Sequence, residues 1–187
     1  MSYSSPTQLS IVRQKFIGLI QNRPWALEFI AITDRDLVTK IGQLYRDAWL
    51  GAMGATPPPN ESSVYRAARY LANHMPEVPA MILVCVDHTK GSTPSTLGEP
   101  LVRGRYASSI WLAVQPLFLA ARALGLGTRL TTADLRREEE VKALLGIPEH
   151  VETVALIPLG YPQGSFGPTA RRPAQEVTSY NRSGNRA

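Results

Sequence analysis

The stretch SSIWLAVQPLFLAARALGLGTRLTT, from Ser108 to Thr132, contains the segment that decides the fold. Its first part, from Ser108 to Leu124, is apolar on nearly all sides at helical spacing. Such a helix lies either at the centre of a domain or between two copies of a chain. Pro116 removes one main-chain hydrogen bond within it and is expected to bend it. We therefore predict a buried helix over residues 106–124.

The end of this stretch allows two interpretations. Gly125 or Gly127 can supply the left-handed residue that ends a helix. Two glycines followed by Thr131 and Thr132 can also mark a place where the main chain comes close to a flat ligand. The residues alone leave both interpretations open.

Helices and strands alternate on both sides of the central helix, which predicts a layered domain that contains both. Thr33 or Asp34 is expected to cap a helix that follows the strand Ala26–Thr33. The apolar run VPAMILVCVD, residues 78–87, is typical of a strand covered on both faces. Further segments are predicted as helices at 7–21, 61–75 and 135–146 and as strands near 128–130 and at 152–162.

Composition limits the classes of function. Of the 187 residues, 44% are hydrophobic and 19% are charged, which is ordinary for a globular domain. No apolar run approaches the length of a membrane span, and no secretory signal is recognisable, so we expect a cytoplasmic protein without membrane contact. The net charge of +5 is spread along the chain rather than gathered in a stripe. We therefore do not expect nucleic acid as a partner.

The chain lacks the usual signatures of side-chain catalysis. Cys85 lies in the apolar strand segment, and the three histidines lack a second ligand at metal-binding spacing, so no metal site is expected. Nucleophile and phosphate-loop motifs are also missing. If the protein is an enzyme, a cofactor is expected to supply the chemistry.

Four segments in register resemble the FMN-dependent nitroreductase family. They are SSIWLAVQPLFLAARALGLGTRLTT, EVKALLGIPEHVETVALIPLGYP, ARRPAQEV and, more weakly, NRPWALEFIAITDRD. The resemblance implies a single α+β domain over residues 1–187, with a mostly antiparallel central sheet flanked by helices, in an intertwined homodimer. We expect residues 1–21 to form a divergent N-terminal helix and residues 163–187 to form a basic C-terminal tail.

The resemblance also implies a cofactor and a reaction. FMN lies at the subunit interface, takes electrons from NADH or NADPH, and passes them to a nitroaromatic, quinone or similar acceptor by a ping-pong mechanism. No side chain is required as a general base, since water can supply the protons. The alternative is a degenerate family member that binds flavin or another planar ligand without turnover.

The site residues are carried over from the resemblance position by position. The main chain of Leu130, Thr131 and Thr132 is expected beside the flavin ring, near its reactive nitrogen. A basic side chain of the tail, Arg172 or Arg171, is expected on the FMN phosphate, for which the planar guanidinium is well suited. Asn22 and Arg23 align with the loop that contacts the polar edge of the flavin, although a helix cap at Asn22 explains that residue equally well.

The pattern departs from the family at the N-terminus. The family begins with an arginine-rich segment that grips the phosphate, and the residues before Asn22 are too few for it. Arg13 and Lys15 lie at neither the expected spacing nor the expected distance. Either these residues replace the missing arginines in a weakened FMN site, or the true start of the protein differs. Pro116 also replaces an Asn that is common in the central helix of the family.

Overall fold

The structure is a computed structural model that describes residues 27–87, 89–90, 107–164, 167 and 171–186. The helix predicted at residues 7–21 therefore lies outside the described residues. The strands are β1 Leu27–Ile32, β2 Ala80–Asp87, β3 Gly127–Thr128 and β4 Val151–Gly160. The helices are α1 Arg35–Met53, α2 Ser63–His74, α3 Ala107–Ala123, α4 Glu138–Leu145 and the single turn α5 Ala174–Val177. Short 3₁₀ turns cover Met75–Glu77 and Ala133–Arg137.

The four strands form one sheet in the order β1-β2-β4-β3, and every neighbouring pair is antiparallel. The predicted α+β class with an antiparallel central sheet is confirmed. Within the part of the chain that the structure describes, every helix is too short or too polar to span a bilayer.

The sheet is covered on both faces, as the apolar run of β2 predicted. On one face, which we call the α3 face, Ile82, Val84 and Val86 pack against α3. On the other, which we call the α1 face, Met81, Leu83 and Cys85 pack against α1 and the end of α2. Because side chains of a strand alternate between its faces, one strand supplies both cores.

A β-bulge adjusts β4 to this arrangement. Val84 pairs with Ala155, but Cys85 pairs with Thr153, so Val154 is an extra residue on β4. Val154 packs on the α3 face beside Ala155, and Leu156 packs on the α1 face. The bulge thus lets both ends of β4 present apolar side chains to the correct cores.

Helix ends follow the local signals of the sequence. The Asp34 carboxylate accepts a hydrogen bond from the Leu37 N–H at 3.0 Å and caps α1. Gly125 follows α3 with a φ of 77°, and Gly146 ends α4 with a φ of 65°. Both values are left-handed, so Gly125 is the residue that ends the central helix.

A buried ion pair joins α2 to the loop after α1. Arg69 contacts the Glu61 carboxylate at 2.8 Å and donates to the main-chain oxygen of Gly54 at 2.6 Å. Its guanidinium also lies over the ring of Trp49, 5.0 Å from the centroid. Every one of these contacts is local to α1, α2 and their connection, so Arg69 fixes how the two helices meet.

The turn after α2 is held tightly against α1. A Cβ added to Gly42 would lie 2.5 Å from both the Cα and the N of Pro76. The Arg35 guanidinium, at the start of α1, donates to the main-chain oxygens of Pro76 and Val78. Gly42 therefore permits the close approach, and Arg35 fixes the segment that leads into β2.

We predict that Gly42→Ala destabilises the protein by about 2 kcal/mol or more, because the new methyl group meets main-chain atoms that cannot rotate away. Gly51→Ala is the matched control, since it lies on the same helix and its Cβ would meet nothing within 4 Å. That control should raise stability by roughly 0.5–1 kcal/mol through helix propensity. Urea unfolding midpoints measure both, and equal stability of the two variants would contradict the close approach.

Candidate functional site

Thr131 is anchored to β4 by its main chain. Its N–H donates to the Leu156 oxygen at 3.0 Å, and the Leu156 N–H donates to the Thr131 oxygen at 3.0 Å. The Thr131 hydroxyl donates to the same Leu156 oxygen at 2.7 Å. This exchange of two hydrogen bonds is the close pair of an antiparallel ladder.

β3 and Thr131 pair with β4 in one continuous register, but the pairing is interrupted between Thr128 and Thr131. Gly127 lies opposite Gly160, Thr128 opposite Leu159, and Thr131 opposite Leu156. Arg129 therefore lies opposite Pro158, whose ring nitrogen has no hydrogen to donate. The strand predicted near residues 128–130 is corrected accordingly: regular pairing stops at Thr128 and resumes only at the single bridge of Thr131.

This register decides which main-chain groups can meet a ligand. In an antiparallel ladder, alternate residues direct their N–H groups toward the neighbouring strand and away from it. Because the N–H and the C=O of Thr131 both point toward β4, this alternation predicts that the N–H groups of Leu130 and Thr132 point away from β4, toward the open edge of the sheet. β3 is the last strand of the sheet that the structure describes. Thr131, whose N–H is already bonded, is thus an anchor between two residues with outward N–H groups.

A cavity of about 780 Å³ lies at the end of the sheet beside β3. Arg35 and three segments line it: the end of α2 with the turn that leads to Pro79, residues 127–129, and residues 158–163. The residue Arg129 lines the cavity directly before the outward-directed Leu130. The volume is in the range of pockets that hold drug-sized ligands and cofactors, roughly 300–1,000 Å³.

Small and rigid residues line much of this cavity. Gly127 and Gly160 face each other across the β3–β4 pair, and both line it, together with Pro79, Pro158 and Pro162. A Cβ on Gly160 would come within 3.3 Å of the Pro79 ring, so a glycine fits closely there. Because the Gly127–Gly160 position carries no side chains, a planar ligand can approach the main chain there.

Two rings of α2 form an aromatic wall of the cavity. Tyr70 and His74 stack with centroids 4.1 Å apart and an interplanar angle of 25°. The His74 Nδ1 lies 2.7 Å from the Tyr70 main-chain oxygen, which can only accept, so Nδ1 carries the proton and Nε2 is left for other contacts. An aromatic wall of this kind can stack on a flat ring.

The charged residues that line the cavity are in different situations. Arg35 uses its guanidinium on the main-chain oxygens of Pro76 and Val78. Glu77 supplies the negative side chain. Arg129 is exposed, and its side chain has no ion pair or hydrogen bond to any residue that the structure describes.

The perturbed carboxylate of the described chain lies elsewhere. Lys90 donates to Asp87 at 2.8 Å, and Thr89 donates from its main chain. The hydrogen bond from Lys90 holds the pKa of Asp87 well below its usual range, and Asp87 in turn raises the pKa of Lys90. Asp87 ends β2, whereas the cavity adjoins its beginning, so this ion pair belongs to the opposite end of the strand.

None of the predicted site residues that the structure describes lines the cavity: Leu130, Thr131 and Thr132 directly follow the lining residue Arg129 but are not part of the lining. Arg171 and Arg172 are described and exposed, and neither lines it. Asn22 and Arg23 lie outside the described residues, as do Arg13 and Lys15. Trp111 and Phe118 of α3 are partly buried and pack against the core of the α3 face.

Sequence reasoning missed Tyr70, His74 and Arg129. The amphipathic pattern of α2 indicates a helix, but it does not indicate which end of the sheet that helix reaches. Arg129 was not predicted, because its position is set by its place opposite Pro158, a residue distant in the sequence. The PLG sequence at 158–160 was a local signal for an interrupted strand.

Comparisons with known proteins agree with this fold. The model of the "Nitroreductase family" matches residues 20–161. A protein of Methanothermobacter thermautotrophicus, provisionally named NADH dehydrogenase/NAD(P)H nitroreductase, is 30% identical over 150 residues, which are 79% of this chain and 60% of that protein. A protein of Archaeoglobus fulgidus with the same name is 27% identical over 75% of this chain and 63% of its own length. The chain thus spans about 60% of the length of these curated relatives.

Solved structures show the same fold at low identity. The NADPH:FMN oxidoreductase of Vibrio harveyi, solved with NAD⁺, superimposes with a TM-score of 0.65 at 18% identity, over 97% of this chain and 70% of that one. A Bacteroides thetaiotaomicron protein with the same provisional name as the archaeal relatives has a TM-score of 0.60 at 20% identity, over 96% of this chain and 87% of its own. The match of the family model over most of the sequence, together with this shared fold, shows that the chain belongs to the nitroreductase family.

Proposed function

We propose that the protein is an FMN-dependent oxidoreductase of the cytoplasm that uses NADH or NADPH to reduce nitroaromatics, quinones or similar acceptors. One observation carries the proposal: the main chain at Leu130 and Thr132 is directed away from β4 next to a cavity of about 780 Å³. Membership of the family supports the class of reaction.

The residues of the cavity fit a flavin. A flavin ring is flat and has polar atoms along its edges, so it needs a flat apolar surface bordered by hydrogen-bonding groups. The strand pair at Gly127 and Gly160 offers the surface, and the ring of Tyr70 offers an aromatic face. The N–H groups of Leu130 and Thr132 offer the donors at the border.

FMN, when bound, supplies the redox chemistry: it accepts two electrons from the nicotinamide and returns them to the acceptor in the same place, which gives ping-pong kinetics. The chain holds and polarises the ring. Donors fixed at Leu130 and Thr132 stabilise negative charge that develops on the polar edge, without having to reorganise. Thr131, bonded to Leu156 on both main-chain groups, keeps the two donors in place.

The proposed assembly is a homodimer in which the long helix forms part of the interface. Leu112 and Leu119 of α3 are 75% and 62% exposed, although Leu117 on the same helix is buried. Every described residue from 171 to 186 is exposed as well. Burial of the α3 surface and of the tail against a second copy would account for both features, and the family resemblance then implies that Arg171 and Arg172 reach the flavin phosphate of the partner. The roles of Asn22 and Arg23 stay predictions.

The function is tested by turnover after reconstitution with FMN. The protein is incubated with excess FMN, desalted, and assayed for oxidation of NADH and NADPH with a quinone and with a nitroaromatic acceptor. We expect bound flavin and acceptor-dependent oxidation, with the parallel double-reciprocal lines of a ping-pong mechanism. Retained flavin without oxidation of either nucleotide would support the alternative of a binding protein without turnover. A protein that retains no flavin would contradict the proposal.

A second prediction concerns the aromatic wall. Tyr70→Ala should weaken FMN binding about 2- to 13-fold, since stacking between aromatic rings contributes roughly 0.5–1.5 kcal/mol. Tyr65→Ala is the matched control, because Tyr65 lies on the same helix, is also exposed, and does not line the cavity. Quenching of FMN fluorescence measures both affinities. Equal effects of the two substitutions would remove Tyr70 from the proposed site.

A third prediction tests the dimer. Leu112→Glu places a carboxylate in the proposed apolar interface, so light scattering should show the 20.5 kDa monomer instead of twice that mass. The affinity for FMN should also fall, because a monomer lacks the tail arginines that the partner is proposed to supply. Val64→Glu is the control, as Val64 is 63% exposed but lies on α2. A Leu112→Glu protein with the same mass as the unaltered chain would place the interface elsewhere.

A further inference from the structure

Arg129 is the uncommitted cation among the described residues that line the cavity. Arg35 has its guanidinium on two main-chain oxygens, and the Nδ1 of His74 is bonded to Tyr70. Arg129 has no side-chain partner among the described residues, although Glu77 lines the same cavity. A permanently charged group in this position attracts an anion.

The register of the sheet fixes the side to which Arg129 is directed. Arg129 lies opposite Pro158, and Thr131 lies opposite Leu156, which packs in the core of the α1 face. Residues directly opposite each other share a face of the sheet, and so do residues two apart on one strand. The Arg129 side chain therefore lies on the α1 face, the face on which Tyr70 and His74 line the cavity.

The position of Arg129 relative to the donors is also fixed. Leu130 follows Arg129 directly, and its N–H is directed toward the open side of β3. A ligand whose ring is bound at Leu130 and Thr132 would have Arg129 as its immediate neighbour, on the side of the cavity that Arg129 lines. Arginine holds two oxygens of a phosphate at once through its planar fork.

We propose that Arg129 binds a phosphate group of the ligand in this cavity. The inference rests on the proposed function, because the ligand is taken to be FMN or the nicotinamide nucleotide that reduces it. Both ligands carry phosphate, and the experiment separates them. Arg129 thereby supplies a phosphate contact from the end of β3, a segment in which the family resemblance assigned only main-chain contacts.

The test compares FMN with riboflavin, which has the same ring but no phosphate. Dissociation constants are measured by fluorescence quenching for the unaltered protein, Arg129→Ala and Arg129→Lys. We expect Arg129→Ala to weaken FMN about 10-fold or more, the effect of losing hydrogen bonds to a charged group. The dissociation constant of riboflavin should change less than about twofold in Arg129→Ala, because riboflavin has no phosphate. Arg129→Lys should restore part of the FMN affinity, because lysine keeps the charge but lacks the planar fork.

Arg136→Ala is the matched control. Arg136 is an exposed arginine that does not line the cavity, and its removal changes the net charge equally. If FMN affinity is unchanged in Arg129→Ala but the KM for NADH or NADPH rises several-fold, the phosphate is that of the nucleotide. If neither changes, or if FMN and riboflavin weaken alike, the assignment of Arg129 to phosphate is overturned.

A failure of the proposed flavin site can be told apart from a failure of the phosphate assignment. A protein that binds neither FMN nor riboflavin would contradict the flavin site, and Arg129 would then be tested with inorganic pyrophosphate. In that case pyrophosphate should raise the thermal midpoint of the unaltered chain and of Arg136→Ala, but not that of Arg129→Ala. An equal shift in all three proteins would overturn the phosphate site independently of flavin.

Discussion

Pro158 has no main-chain N–H, and the register of β4 places it opposite Arg129. The rest of the candidate site depends on this single missing donor. It ends the regular pairing of β3 at Thr128, so that Thr131 holds the following segment by one close pair with Leu156. Without the gap, β3 would continue as an ordinary edge strand. Because of the gap, the segment from Leu130 to Thr132 is held to β4 only through Thr131, and its main chain before and after Thr131 can face a ligand.

The two apolar cores explain why this segment is held in place. β2 and β4 are covered on the α3 face by the long central helix and on the α1 face by α1, with the bulge at Val154 adjusting the alternation. The close contact of Gly42 with Pro76 and the hydrogen bonds of Arg35 fix the turn between α2 and β2. The cavity is thus built on packed elements, although its lining includes several exposed side chains.

The sequence predicted those features that depend on neighbouring residues. A cap at Thr33 or Asp34, a helix end at Gly125 or Gly127, and the doubly covered run of β2 all follow from local chemistry and from hydrophobic period. The role of Thr131 did not follow, because its N–H is bonded to Leu156, a residue 25 positions away. Tyr70 and His74 were not predicted for the same reason, since only the packing of α2 brings them to the end of β3. The predicted role of the tail arginines requires a second copy of the chain.

Amide hydrogen exchange, resolved by residue with NMR, tests the central claim that the open main chain of this segment holds the flavin ring. In the free protein, the Thr131 amide should exchange slowly, because it is bonded to Leu156, while those of Leu130 and Thr132 should exchange fast. Saturating FMN should slow Leu130 and Thr132 and leave Thr131 as it was. Tight FMN binding with unchanged exchange at Leu130 and Thr132 would show that the ring is held elsewhere, and the account of the site would be wrong.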